Sequence, residues 1–213
     1  MEARGTPLPL VRPSAGRAEH VRRAKFLARV GLAWHGVEAA VAIGAGVVAG
    51  SIALIGFGAD SLIELLAGFV LLWRFGGVPG SDAREHPAHR LIAATFWIVA
   101  VYVAAEAIRS LLGGHHPDVS YVGIGLSAVT LVTMPPLAAA KSRVAERLHS
   151  SAVRSEGRQT ALCAYLSAAL LGGLGANALF GWWWADPAAA LVIAAVAVNE
   201  GRLAWRGEGA DCC

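Results

Sequence analysis

Six stretches of nearly unbroken apolar residues divide the chain, at 26–48, 51–73, 91–112, 119–140, 161–180 and 186–205. Apolar side chains recur around most of the helical circumference rather than along one stripe, the pattern of helices bathed in lipid and packed on each other. At 1.5 Å of rise per residue, about 20 residues cross the roughly 30 Å of bilayer hydrocarbon. Lipid offers no partner to a free backbone N–H or C=O, so each segment must satisfy its own backbone, and strands are not expected. The pattern predicts an all-α, polytopic membrane protein with six transmembrane helices. A basic arm at 1–25 precedes the six-helix domain at 26–206, and a short tail follows at 207–213. Pro135 and Pro136 fall late in the fourth segment, where two missing backbone donors are expected to kink or end the helix.

Composition and charge sharpen this reading. Of 213 residues, 56% are hydrophobic and 15% charged, and the mean hydropathy is +0.55, which excludes a disordered chain or an ordinary cytosolic protein. The net charge is +3 and the pI about 9.0, yet the cations lie between apolar runs, where they set topology rather than bind nucleic acid. Of the 18 Lys and Arg, all but Arg109 fall on one face of the predicted bundle. Both termini are therefore expected in the cytoplasm. Trp182, Trp183 and Trp184 mark the opposite edge, and Trp73 and Trp205 the cytoplasmic one, where indole rings favour the water boundary. The apolar run after the arm is too long for a signal peptide, so the arm is read as uncleaved. With Cys163 inside a span and Cys212 and Cys213 adjacent in the tail, the three cysteines cannot all pair within the chain and are read as reduced thiols.

Charge inside a span is the informative feature. An ionisable group at a helix centre costs about 2.5–3.5 kcal/mol on insertion scales, so it requires a partner, a cavity or a function. Asp60 and Glu64 straddle the middle of the second segment, one turn apart on one helix face and close enough to share a cation. Without a cation, at least one should hold a proton, and a divalent ion would expel it, which couples metal to protons. The alternatives are a protonated pair hydrogen-bonded to neighbouring helices, or a pair satisfied by His35 or an arginine. His35 and Glu38, three apart in the first segment, could neutralise each other, meet the acids across a helix interface, or relay protons. Glu106 is read as an ion pair with Arg109, and Asn177 as an interhelical hydrogen-bonding group. His86, His89, His115 and His116 are read as solvated loop residues. The Asp211-Cys212-Cys213 tail is a solvated end, or a catcher of soft metal, or an acylation site.

The run Ser51-Ile52-Ala53-Leu54, then Asp60-Ser61-Leu62 and Glu64, resembles the second transmembrane helix of the cation diffusion facilitator family. Trp184-Ala185-Asp186-Pro187, followed by an apolar span closing on Glu200-Gly201-Arg202 and Trp205, is similar to that family's sixth helix. The resemblance covers roughly residues 26–206 and implies efflux of a divalent metal, zinc foremost, against protons, with pairs of ligands on the second and fifth helices. Asp60 and Glu64 fall on the first pair. On the fifth helix, aligning Glu156 with the family's acid puts Gln159 and Cys163 at the ligand positions, whereas a gapless count back from Asp186 selects Thr160 and Ala164. Glu156, Gln159, Thr160 and Cys163 share one helix face. A thiolate with two carboxylates suits zinc or a softer ion, and an amide or hydroxyl is a weaker ligand. The metal ligands are thus expected among Asp60, Glu64, Gln159, Thr160 and Cys163, with Glu156, His35 and Glu38 serving proton coupling or ion access. The second carboxylate pair is missing in either register. That keeps an alternative open, a transport-inactive protein on the same scaffold acting as a metal sensor or interaction partner.

No P-loop, nucleophile elbow or zinc-protease motif occurs, so neither an enzyme nor a cofactor is expected beyond the transported ion. The expected partners are the divalent ion, protons and membrane lipid, not nucleic acid. The chain stops within a few residues of Trp205, short of the cytoplasmic domain through which many family members dimerise, so a homodimer would form through the membrane helices.

Overall fold

The structure, a computed structural model, describes residues 15–75, 85–114 and 116–206. Six α-helices follow one another: α1 Ala15–Ala49, α2 Ile52–Phe75, α3 Glu85–Gly113, α4 Tyr121–Leu148, α5 Ser151–Phe180 and α6 Ala185–Arg206. No strand occurs among the described residues. Four helical stretches there, 19–49, 93–113, 121–148 and 156–180, are long and apolar enough to cross a membrane. The chain is an all-helical, multi-pass membrane protein. Several sequence expectations lie outside the described residues: Arg4 and Arg12 of the arm, His115, Asp211, Cys212 and Cys213, and the side chains of Trp73, Arg74, His86, His89 and Arg90.

Helix α4 packs along α5, α3 along α6 and α1 along α2, and α2 also touches α3, α5 and α6. The helix that carries Asp60 and Glu64 is therefore central, and its carboxylates are enclosed by neighbours on several sides. In lipid the drive for this packing is close contact rather than escape from water. The apolar core gathers Leu54 and Phe57 of α2, Val103 of α3, Met134 of α4, Leu170 and Leu174 of α5 and Ile193 of α6.

Three connections meet at one end, here the tryptophan end. Gly50 (φ 65°) turns α1 into α2, and Gly181 (φ 65°) ends α5, a left-handed backbone that glycine adopts without steric cost. The Asp118 N–H donates to Ala49 O at 2.9 Å, and Asn177 Nδ2 donates to Pro117 O at 3.0 Å. Asn177 thus bonds the connection between α3 and α4 rather than a neighbouring helix. Asp186, in the first turn of α6, accepts from the Ser51 hydroxyl at 2.5 Å and from the N–H groups of Ile52 at 3.0 Å and Ala53 at 3.4 Å. It caps α2 from another helix, satisfying donors that a helix start leaves unpaired. Trp182 stacks on Trp184 with ring centroids 5.4 Å apart, and His116 stacks on Trp183 at 4.8 Å.

The opposite, basic end departs from the sequence reading. Helix α4 does not end at Pro135 and Pro136 but runs through them to Leu148. Helix α5 starts at Ser151, so the stretch 141–158, read as a connection, consists of two helix ends joined at His149 and Ser150. Each new end is capped. The Ser150 hydroxyl accepts from Val153 N at 3.5 Å, and His149 (φ 50°) closes α4 in the left-handed region. Toward the tryptophan end, Glu106 and Arg109 form the ion pair expected, at 3.6 Å.

Candidate functional site

Glu64 lies near the middle of α2 and is 6% exposed. Its Oε2 is fully buried and accepts no hydrogen bond. A buried polar atom without a partner costs about 1–3 kcal/mol, more when charged, and calls for an explanation. Two side chains converge on it. Donor atoms of His35 from α1, Glu64 from α2 and Cys163 from α5 all lie within 4.8 Å of one another, and all three residues are buried. Around a tetrahedral zinc with bonds of about 2.0–2.3 Å, neighbouring donor atoms sit roughly 3.3–3.8 Å apart. Small side-chain movements would close this set around an ion.

His35 Nδ1 stands 3.1 Å from Glu64 Oε2 and 3.3 Å from Glu38 Oε2. The hydrogen-bonding direction belongs to Glu38, so the approach to Glu64 is an electrostatic contact. A ring nitrogen between two carboxyl groups either donates a proton to one or accepts one from it. In both cases a metal bound to that nitrogen must displace a proton.

Glu38 is the hub beneath these three. Fully buried, it accepts from Trp34 Nε1 at 3.3 Å, Ser61 Oγ at 2.9 Å, Thr130 Oγ1 at 2.5 Å and Cys163 Sγ at 3.6 Å. One carboxylate thereby ties α1 to α2, α4 and α5. Its oxygens are engaged, whereas Glu64 Oε2 is not, so of the two acids Glu64 is the one with an oxygen left to offer an ion.

The structure distributes the other predicted residues around this centre. Asp60 is buried (5% exposed), and its charge acts on Glu64, but it is not among the three grouped donors. It faces the charges of Glu200 and Glu38. Gln159, on α5, faces the Glu64 carboxyl. Thr160 Oγ1 donates to Glu156 O at 2.9 Å and accepts from Lys141 Nζ at 3.0 Å, while Glu156 Oε1 pairs with Lys141 at 2.8 Å. Of the two alignments of the fifth helix, the one through Gln159 and Cys163 supplies the side chains that meet Glu64.

Lys141 and Thr130 are not among the residues singled out from sequence, and Ser61 enters there only within the Asp60-Ser61-Leu62 run. A signal for two of them exists on α4, where Gly123, Ser127, Thr130, Met134, Ala138, Lys141, Val144 and Ala145 are buried. Their steps of three and four trace one helix face, so Lys141 continues an inward stripe rather than opening a loop.

The fold defines an integral, multi-pass membrane protein with a polar centre among its helices. The family model of the cation efflux transmembrane domain matches residues 88–206, more than half of the chain, and the chain belongs to this cation diffusion facilitator family of transporters. An uncharacterized transporter of Synechocystis sp. is 23% identical over 158 residues, which make up 70% of this chain and 51% of that protein. The chain thus spans about half the length of the curated relative it matches. The matched family region holds Cys163, Glu156 and Lys141, whereas His35 and Glu64 lie before it.

Proposed function

We propose that this cation transporter exports a divalent metal ion, zinc foremost, in exchange for protons, across a membrane that all six helices span. In this reading the basic end and both termini face the cytoplasm, since cations concentrate there. The observation that carries it is the orphaned Glu64 Oε2, buried beside the His35 nitrogen and the Cys163 sulfur. Imidazole, thiolate and carboxylate are the ligands of zinc and its softer neighbours, and an open fourth position allows uptake and release. Proton exchange follows from the ligands themselves, because the His35 nitrogen and the Cys163 thiol must be deprotonated before they bind. Glu38, whose oxygens already accept from four donors, orients these ligands, and Asp60 and Glu64 are the acids proposed to take up the protons. Gln159 and Asp60 complete the surroundings, and the second copy of a homodimer would pack against the membrane helices.

Purified protein in proteoliposomes tests this. Zinc-dependent proton flux lost in Glu64→Gln supports transport through this site, and flux indifferent to that change rejects it. Zinc binding without any flux would favour the sensor reading, which draws on the absence of a second carboxylate pair from α5.

A further inference from the structure

Lys141 has no role in the metal site as described, yet it is among the most deeply buried of the described residues, at 2% exposure. A lysine is almost never enclosed to that degree unless paired. Its ammonium donates to Glu156 Oε1 at 2.8 Å and to Thr160 Oγ1 at 3.0 Å. On its other side lies Gly31 of α1, where an added Cβ would sit 2.9 Å from Nζ. Three helices therefore close on one cation, and a glycine makes the room.

The placement is specific. Gly31 is one turn from His35 along α1, and Glu156 is seven residues, about 10 Å, from Cys163 along α5. The ammonium thus lies on the basic side of the metal site, and its charge acts on Glu64. Toward the tryptophan end the packed core begins instead, with Phe57 and Leu170 at 0% exposure. On the basic side the polar side chains next to the site include Lys141, Glu156 and Thr160.

Resting on the transport reading above, we infer that Lys141 occupies a second cation site, formed by the Glu156 carboxylate and the Thr160 hydroxyl, as a tethered stand-in for the ion in transit. While the ammonium sits there the basic side of the path is closed. A divalent ion carries twice the charge and takes the same oxygen donors, so it displaces the ammonium, rests on Glu156 and passes to Glu64. Lysine suits this role because its charge is a compact point on a flexible stem, unlike the forked, planar guanidinium of arginine.

The test uses the full chain with Cys212→Ser and Cys213→Ser, which leaves Cys163 as the one thiol of the original three. A charged, membrane-impermeant thiol reagent is applied to either face of reconstituted vesicles, and the labelling rate of Cys163 is read by mass spectrometry. Breaking a buried pair is costly enough that Lys141→Met should raise labelling from the basic face by about tenfold or more. Labelling from the tryptophan face should not change, and the reversed pair Lys141→Glu with Glu156→Lys should restore protection. Glu156→Gln should also raise labelling but slow zinc uptake, whereas Lys141→Met should leave uptake equal or faster. Unchanged labelling in Lys141→Met, a rise from both faces, or uptake that falls alike in both variants would overturn the inference. Zinc that fails to protect Cys163 in the unmodified pair would instead overturn the metal reading and leave the closure intact.

Discussion

The Ser51 hydroxyl and the Asp186 carboxylate, 135 positions apart, meet at 2.5 Å and join the start of α2 to the start of α6. The same carboxylate accepts from two N–H groups of α2, so Ser51 and Asp186, one from each half of the sequence resemblance, meet as a capping device and not as part of the candidate metal site. Asp186→Ala should cost about 3 kcal/mol, because it strips charge-assisted hydrogen bonds from a buried helix start. The check is the thermal midpoint in detergent, with zinc affinity of the folded fraction unchanged.

Glu64 and Asp60 should separate on substitution although both are buried acids one turn apart. Glu64→Gln removes a grouped donor and should reduce zinc affinity at least about tenfold more than Asp60→Asn does, which changes only the surrounding charge. Isothermal titration with zinc decides, and equal losses would move the site toward Asp60.

Zinc affinity should fall as the pH falls. His35 Nδ1 and the Cys163 thiol bind metal only without their protons, so each proton displaced contributes about a tenfold loss of affinity per pH unit below its titration. Titrations in buffers of different ionisation enthalpy would count the protons released. Affinity indifferent to pH would remove the basis for exchange.

Glu38 holds four helices together, and its loss should be felt as stability first. Glu38→Ala leaves the Trp34, Ser61 and Thr130 donors without their buried acceptor and should cost about 3–5 kcal/mol. Glu38→Gln keeps the shape and should cost less. Both are read from thermal unfolding, and a Glu38→Ala protein as stable as the parent would deny the hub.

His149 is the one described non-glycine residue with positive φ, at 50°. His149→Gly should therefore stabilise the α4–α5 junction by about 1 kcal/mol, by removing the left-handed strain of a side chain. A raised thermal midpoint with unchanged zinc binding is the expected outcome.

The helices were legible because apolar runs of bilayer length have few other uses, and the site was half legible because acids in such runs are costly. Sequence spacing placed Asp60 and Glu64 on one face, but a four-residue step still leaves them about 40° apart around the helix axis. That angle, read against neighbours the sequence does not specify, sends Glu64 toward His35 and Cys163 and leaves Asp60 outside the group. Lys141 escaped notice because a cation after an apolar run reads as a loop residue. Pro135 and Pro136 reinforced that reading by suggesting that the helix had stopped. Only the continuation of the buried stripe from Thr130 through Ala138 to Lys141 betrays a helix that goes on.

Hydrogen bonds at the tryptophan end bind the helix ends and turns together: Asp118 to Ala49, Asn177 to Pro117, and Ser51 to Asp186. A bundle tied at one end has its fulcrum there, so any tilt of its members is amplified with distance from the knot and is greatest where α1, α4 and α5 extend. Parting the helices at the tryptophan end would undo these bonds together, whereas at the basic end α4 and α5 are held by their short turn and by the bonds of Lys141 to Glu156 and Thr160.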